Sequence, residues 1–229
     1  MTGDRLGVFG GSFNPVHLGH LHIAQHSMEI FGLSQVFFVV ASAPPHKPSQ
    51  DLIPFVHRYA MVSLAACGFP GFLPSLAELE PPASPYSIDS LAKVARQSGA
   101  CGKNLYFIAG GDSLLDVAGW HSGETLLTSC NFVFVMRPGV KTPDLGAVLP
   151  PAAVSRVIDC RGHDAARMRH LVGAGQASPE CRIFLVDAGA PDVAASQIRR
   201  LASLGQSIEH LVPPAVHEYI LKLHLYGER

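Results

Sequence analysis

Apolar and polar positions fall into short solid runs separated by amphipathic stretches. Five runs are apolar almost throughout: RLGVF (5–9), QVFFVV (35–40), NLYFIA (104–109), NFVFVM (131–136) and RIFLVD (182–187). A strand covered on both faces reads this way, as in the middle of a parallel sheet. Helical patterns lie between the runs. Residues 18–31 place Leu18, Leu21, Ile23, Met28 and Ile30 over about four turns with uneven periodicity, and residues 55–67 and 87–97 are better amphipathic candidates. Strands alternating with helices predict an α/β fold built on a doubly wound parallel sheet.

The tail reads as a helix, a glycine stop, a short turn and a second helix entered through Pro213–Pro214. Ala215, Val216, Tyr219, Ile220 and Leu223 give that last helix an apolar stripe. Residues 41–54 and 78–87 are too rich in proline for regular helix, and long loops at strand ends are where such folds place function. Residues 138–181 are the least regular part, and the pattern predicts a helix near 165–172. The expected organisation is an α/β core over 1–190, with 138–181 a variable insertion, and a helical segment over 191–229 packed on it.

Composition narrows the function classes. The chain has 229 residues, 48% hydrophobic and 15% charged, which suits a globular core. The formal net charge of −1 gives no overall pull toward nucleic acid or a membrane surface, so any anion site must be local. Five cysteines, odd in number and without a C-x-x-C pair, point to a reducing compartment. The start MTGDRLGVFGG carries no signal-peptide apolar segment, and no run approaches the roughly 18–20 apolar residues that span a bilayer. A cytoplasmic location is the expectation.

The densest chemistry lies in GVFGGSFNPVHLGHLHIAQH (7–26), where Gly-Gly-Ser closes the first apolar run and His17, His20, His22 and His26 follow. The dinucleotide pattern G-x-G-x-x-G and the phosphate-loop pattern G-x-x-x-x-G-K-[ST] are both absent. A zinc site is poorly served, because the two histidine pairs project differently on a helix and no cysteine is near. A phosphate cradle fits better. Gly10 and Gly11 permit a sharp turn and close backbone approach, and Ser12 and Phe13 add N–H donors. Asn14–Pro15 has the chemistry of a helix entry. The helix N-terminus then faces the loop with its partial positive charge, and His17 and His20 share a face of its first turn.

GGSFNPVHLGH resembles the G-G-[ST]-F-[DN]-P-x-H-x-G-H signature of the nucleotidylyltransferase superfamily. Later segments resemble its bacterial nicotinate-nucleotide adenylyltransferase family. PPHKP (44–48) is similar to the loop after that family's second strand. ELEPPASPYSIDSL (78–91) is similar to E-L-x-R-x-G-x-S-Y-T-x-D-T-L, with Pro85 in place of a serine. FIAGGDSLLDVAGWHSGETLL (107–127) is similar to F-I-x-G-x-D-x-L followed by a tryptophan, and VFVMRPG (133–139) to a strand ending in Arg-Pro-Gly. The tail is similar to I-S-S-T-x-I-R and the helices after it, with Ala194 and Ala195 at the two serines and Ser196 at the threonine. The resemblance covers 5–137 and 182–226.

The resemblance implies a Rossmann-like nucleotidylyltransferase fold and a reaction in which ATP and nicotinate mononucleotide give nicotinate adenine dinucleotide and pyrophosphate. It implies His17 and His20 as catalytic groups. It implies ATP contacts from Gly10, Gly11, Ser12, Phe13, Gly110, Asp112, Arg137, Ser196 and Arg199. Contacts to the mononucleotide are implied for His46, Lys47, Tyr86, Ser87, Asp89 and Trp120, the last as a stacking partner for the pyridine ring. Mg²⁺ is implied with ATP, and no metal ligand set belonging to the protein alone. The alternatives are a relative acting on nicotinamide mononucleotide or pantetheine phosphate, and a nucleotide-binding homologue impaired by the two alanines.

Overall fold

The computed structural model describes residues 4–43, 52–136, 143–187, 189 and 193–227. Strand β1 (Leu6–Gly11) leads to α1 (Leu18–Phe31) and β2 (Gln35–Val40); α2 (Phe55–Ala66), β3 (Phe72–Ser75) and α3 (Ser87–Ser98) follow. Then come β4 (Leu105–Gly110), α4 (Gly123–Ser129), β5 (Asn131–Met136) and two single-turn helices, α5 (Leu145–Val148) and α6 (Pro151–Val154). The chain ends with β6 (Val157–Asp159), α7 (Ala165–Ala177), β7 (Ile183–Asp187), α8 (Ala195–Ser203) and α9 (Pro214–Lys222).

The strands form one sheet in the order β3-β2-β1-β4-β5-β7-β6, and each pairing is parallel. The five strands expected from apolar runs are β1, β2, β4, β5 and β7, the sheet's interior. β3 and β6 lie at its edges and carry no apolar run. Pro74 sits in β3, where an edge position tolerates the missing N–H.

Alternation along the strands divides the core. In β5, Val133 and Val135 join one face while Phe132, Phe134 and Met136 join the other. The first face is covered by α1, α2, α7, α8 and α9, through residues such as Leu21, Met61, Val172, Ile198 and Ile220. The second is covered by α3, α4 and α6, through Leu91, Val94, Leu126 and Ala153. Residues 143–181 thus supply an edge strand and a helix on each face. The helix expected near 165–172 runs to Ala177, and Gln176 reaches from it to the Phe31 carbonyl and the Tyr106 hydroxyl.

α1 has the expected end, because Gly32 adopts φ 64 and its N–H closes on Met28. Its start also falls where the pattern places it, but its entry differs from expectation. Asn14 does not cap it; the helix begins at Leu18 with His17 as the cap residue. Asn14 is drawn to the C-terminal segment instead. Its carbonyl accepts from Arg199 Nη1 at 2.9 Å, and its side-chain oxygen accepts from the Tyr226 hydroxyl at 3.0 Å. None of the described helices is long and apolar enough to cross a membrane.

Ile220 is 2% exposed and joins α9 to the same core face as β1 and α1. Ile220→Ala is expected to lower stability by about 2–5 kcal/mol. Urea unfolding checks this, and an unchanged midpoint would mean the tail is not part of the core.

Candidate active site

The strand order reverses between β1 and β4. In an open parallel sheet this boundary leaves a crevice at the carboxyl ends of the strands. A cavity of about 360 Å³ occupies it. Gly10, Gly11 and Ser12 form one wall, Val39 and Ala41 come from the end of β2, and Phe107 and Ala109 come from β4. The opposite wall is Tyr86, Ser87 and Ser90 at the start of α3, with Ser113, Asp116, Trp120 and His121 from the turns after β4. Tyr86 and His121 stack with ring centres 4.0 Å apart, and Trp120 meets Phe107 edge-on at 6.4 Å.

The turn after β1 is shaped by one buried ring. Phe13 has φ 45, a left-handed conformation that costs a side-chain-bearing residue about 1–3 kcal/mol. Packing holds it there: the ring is 2% exposed and contacts Phe9, Phe38 and His20 at 5.5, 5.6 and 5.0 Å between centres. A Cβ at Gly11 would stand 3.0 Å from this ring and press on it, so the second glycine spares the packed plug that crowding. The Phe13 side chain is the plug beneath the turn, so what the residue offers a ligand is its backbone, as expected from the sequence.

His17 and His20 come together at the start of α1, with ring centres 3.7 Å apart. The His17 backbone N–H donates to His20 Nδ1 at 3.3 Å. With Nδ1 accepting, the neutral His20 ring carries its proton on Nε2, which makes Nε2 a donor. The Leu18 N–H is taken by the Leu211 carbonyl at 3.0 Å, so the helix end offers one fewer donor than expected. His22 and His26 stack on each other at 5.9 Å further along α1. Burial, then the charge of His22, holds His26 below the usual histidine range.

Of the other expected residues, Gly10, Gly11, Ser12, Tyr86, Ser87 and Trp120 line the cavity. Gly110 ends β4, and Asp112 lies exposed in the turn beyond it, whereas Ser113 and Asp116 of the same stretch reach the cavity. Asp89 is not among the lining residues; its carboxylate accepts from the Ser84 hydroxyl and so braces the loop before Tyr86. Ser196 is exposed in the first turn of α8. Arg199 braces the Asn14 carbonyl. His46, Lys47 and Arg137 lie outside the described residues.

Three buried charged groups were not foreseen. Glu78 lines the cavity, and its Oε2 accepts from the Ser42 N–H at 2.6 Å and the Ser42 hydroxyl at 2.8 Å. Burial pushes its pKa above the ordinary glutamate value, against the Ser42 bonds and the charges of Arg58 and Lys93. Lys93 donates to the carbonyls of Ala77, Glu80 and Pro82 at 2.7–2.8 Å and so shapes the turn that carries Glu78. Arg58 is buried in α2. A signal existed: Arg58 shares helical register with Met61, Val62 and Ala65, and a charge on an apolar stripe asks for partners.

Known proteins match this chain in sequence and fold. The cytidylyltransferase-like family model matches residues 8–201. A protein of Geobacter metallireducens named a probable nicotinate-nucleotide adenylyltransferase is 40% identical over 223 residues, covering 97% of this chain and 98% of that protein. One of the same name from Thermomicrobium roseum is 35% identical, covering 97% and 92%. The fold is also that of the Plasmodium falciparum nicotinic acid mononucleotide adenylyltransferase solved with NaAD. That match has a TM-score of 0.68 at 17% identity and covers 98% of each chain.

Glu78→Gln tests the burial of the cavity carboxylate. The folded chain holds the Glu78 proton more tightly than the unfolded chain, so the associated stability is complete below the ordinary glutamate pKa. It is lost as pH rises from there through the folded value. The stability of wild type relative to the variant is therefore expected to fall across that window and then level off, by urea unfolding at stepped pH. A difference that rises with pH would contradict this.

Proposed function

The chain belongs to the nicotinate-nucleotide adenylyltransferases of the cytidylyltransferase-like family, and from that membership we propose how its own residues join ATP to nicotinate mononucleotide. The 5′-phosphate of the mononucleotide attacks the α-phosphorus of ATP. A new P–O bond forms, the bond to the β-phosphate breaks, and pyrophosphate leaves. The nucleophile is already an anion, so no strong base is required and alignment and charge stabilisation carry the rate. The backbone of Gly11 to Phe13 cradles the phosphates. His20 donates from Nε2 to oxygens that gain charge in the transition state, and His17 holds the neighbouring phosphate. The backbone at the start of α8 serves where Ala194 and Ala195 replace hydroxyls.

The mononucleotide lies in the cavity with its pyridine ring against Trp120. One observation carries the preference for an acid. The cavity opens on the N-terminus of the 12-residue helix α3, and a buried polar atom of a lining residue there, Ser90 Oγ, has no hydrogen-bond partner among the described residues. A helix N-terminus favours an anion, and an unsatisfied group costs about 1–3 kcal/mol until an acceptor arrives. A ring carboxylate answers both.

No group of three or more His, Cys, Asp or Glu that could hold a metal occurs among the described residues. Asp116, which lines the cavity, and Asp112, exposed in the same turn, are the carboxylates that would suit Mg²⁺ entering on the triphosphate. Bound there, Mg²⁺ neutralises the triphosphate and the leaving pyrophosphate. The five free cysteines support a cytoplasmic site of action.

With ATP, Mg²⁺ and nicotinate mononucleotide, the purified protein is expected to release pyrophosphate. Its kcat/KM should exceed that for the amide mononucleotide by on the order of 10²-fold or more. No turnover sinks the enzyme reading, and equal values for the two substrates sink the carboxylate assignment. His20→Ala is expected to lower kcat by about 10²–10³-fold, as loss of other positioned donors does. A wild-type rate would remove His20 from the chemistry.

A further inference from the structure

Beneath the cradle lies a cation that the reaction described above leaves unused. Arg58 stands in the first turn of α2 and is 1% exposed. Its hydrogen bonds go to backbone carbonyls. Nη1 donates to Ser12 at 2.8 Å and Ala41 at 2.6 Å, Nε to Ile53 at 3.0 Å and Nη2 to Ser42 at 3.4 Å. One planar group thus ties together the turn after β1, the end of β2 and the entry to α2. The fork is rigid and planar, so it fixes these three backbones in a set geometry that the rotatable donors of an ammonium do not impose.

Peptide geometry carries that constraint into the site. In a trans peptide the C=O and N–H point opposite ways. Drawing the Ser12 carbonyl onto Arg58 therefore aims the Phe13 N–H away from it. The Ala41–Ser42 peptide shows the same relay in full. Its carbonyl rests on Arg58, and its N–H donates to Glu78 Oε2, on a side chain that lines the cavity. We propose that Arg58 is a positioning residue for adenylyl transfer. It holds the phosphate cradle and the mononucleotide cavity in one register, so that its loss misaligns the reacting phosphates more than it weakens substrate binding.

The proposal rests on the adenylyl-transfer reading, and wild-type turnover separates the two. An inactive wild type overturns that reading, whereas an active wild type with an unimpaired variant overturns this proposal alone. Arg58→Lys keeps the charge and removes the fork. Steady-state pyrophosphate release is expected to show kcat lowered by about 10–10²-fold, since a misplacement near 1 Å costs that much. KM for ATP and for the mononucleotide should each change by less than about threefold. A wild-type kcat, or KM changes that equal or exceed the loss in kcat, overturns the proposal whatever the melting temperature. If the variant does not fold, the wild-type protein still decides. A phosphate on the Phe13 N–H polarises the Ser12 carbonyl and strengthens its bond to Nη1. The ¹⁵N guanidinium resonances of Arg58 should therefore shift when a non-hydrolysable ATP analogue and nicotinate mononucleotide bind together. Unmoved resonances at saturation overturn it.

Discussion

At the carboxyl end of the sheet, β1 and β4 are neighbours whose following segments leave in different directions, toward α1 on one face and toward the turns before α4 on the other. No crossover fills the gap between them, and the gap is the cavity. The fold therefore decides where the chemistry sits before any particular side chain does. The side chains set what surrounds the gap: glycines at the turn after β1, two histidines at the start of α1, and aromatic and hydroxyl-bearing residues from α3 and the turns after β4.

Such a gap needs support, because loops that end strands bring backbone polar groups to a dry interior. The molecule supplies it with buried donors. Arg58 takes the carbonyls at the ends of β1 and β2, Lys93 takes those of the turn before α3, and Arg199 and Tyr226 hold Asn14 from the C-terminal segment. Glu78 feels the charges of both Arg58 and Lys93 and accepts from Ser42. The C-terminal segment is accordingly part of the site's construction as well as of the core: Leu211 takes the first N–H of α1, and Ile220 is buried in the same core face.

The interior strands were legible because residues buried on both faces must be apolar at nearly every position. β3 and β6 were not. FLPS and VID are short edge segments, partly exposed, whose strand character comes from the neighbour they pair with. That the glycine turn borders the cavity and that His17 and His20 meet was legible because Gly10, Gly11, His17 and His20 are close in sequence. The cavity's opposite wall was legible in Tyr86, Ser87 and Trp120, each in a motif of its own. Asn14 was misread as a helix cap because its real partners, Arg199 and Tyr226, lie some 200 residues away in the chain. Asp89 was placed at the substrate, but a local partner, Ser84, claims its carboxylate. The partners of Lys93 and Glu78 are backbone groups or a serine, which leave no pattern of residue types, whereas Arg58 is marked only by its place on the apolar stripe of α2.

The claim that the β1/β4 crevice holds phosphates on one wall and the pyridine ring on the other is tested most directly by a structure of the protein with nicotinate adenine dinucleotide bound. The bridging phosphates should lie against the backbone of Gly11 to Phe13, within hydrogen-bonding distance of His20 Nε2. The pyridine ring should lie on Trp120, with its carboxylate at the start of α3. Phosphates bound away from the turn after β1, or a pyridine ring outside the cavity, would contradict the account.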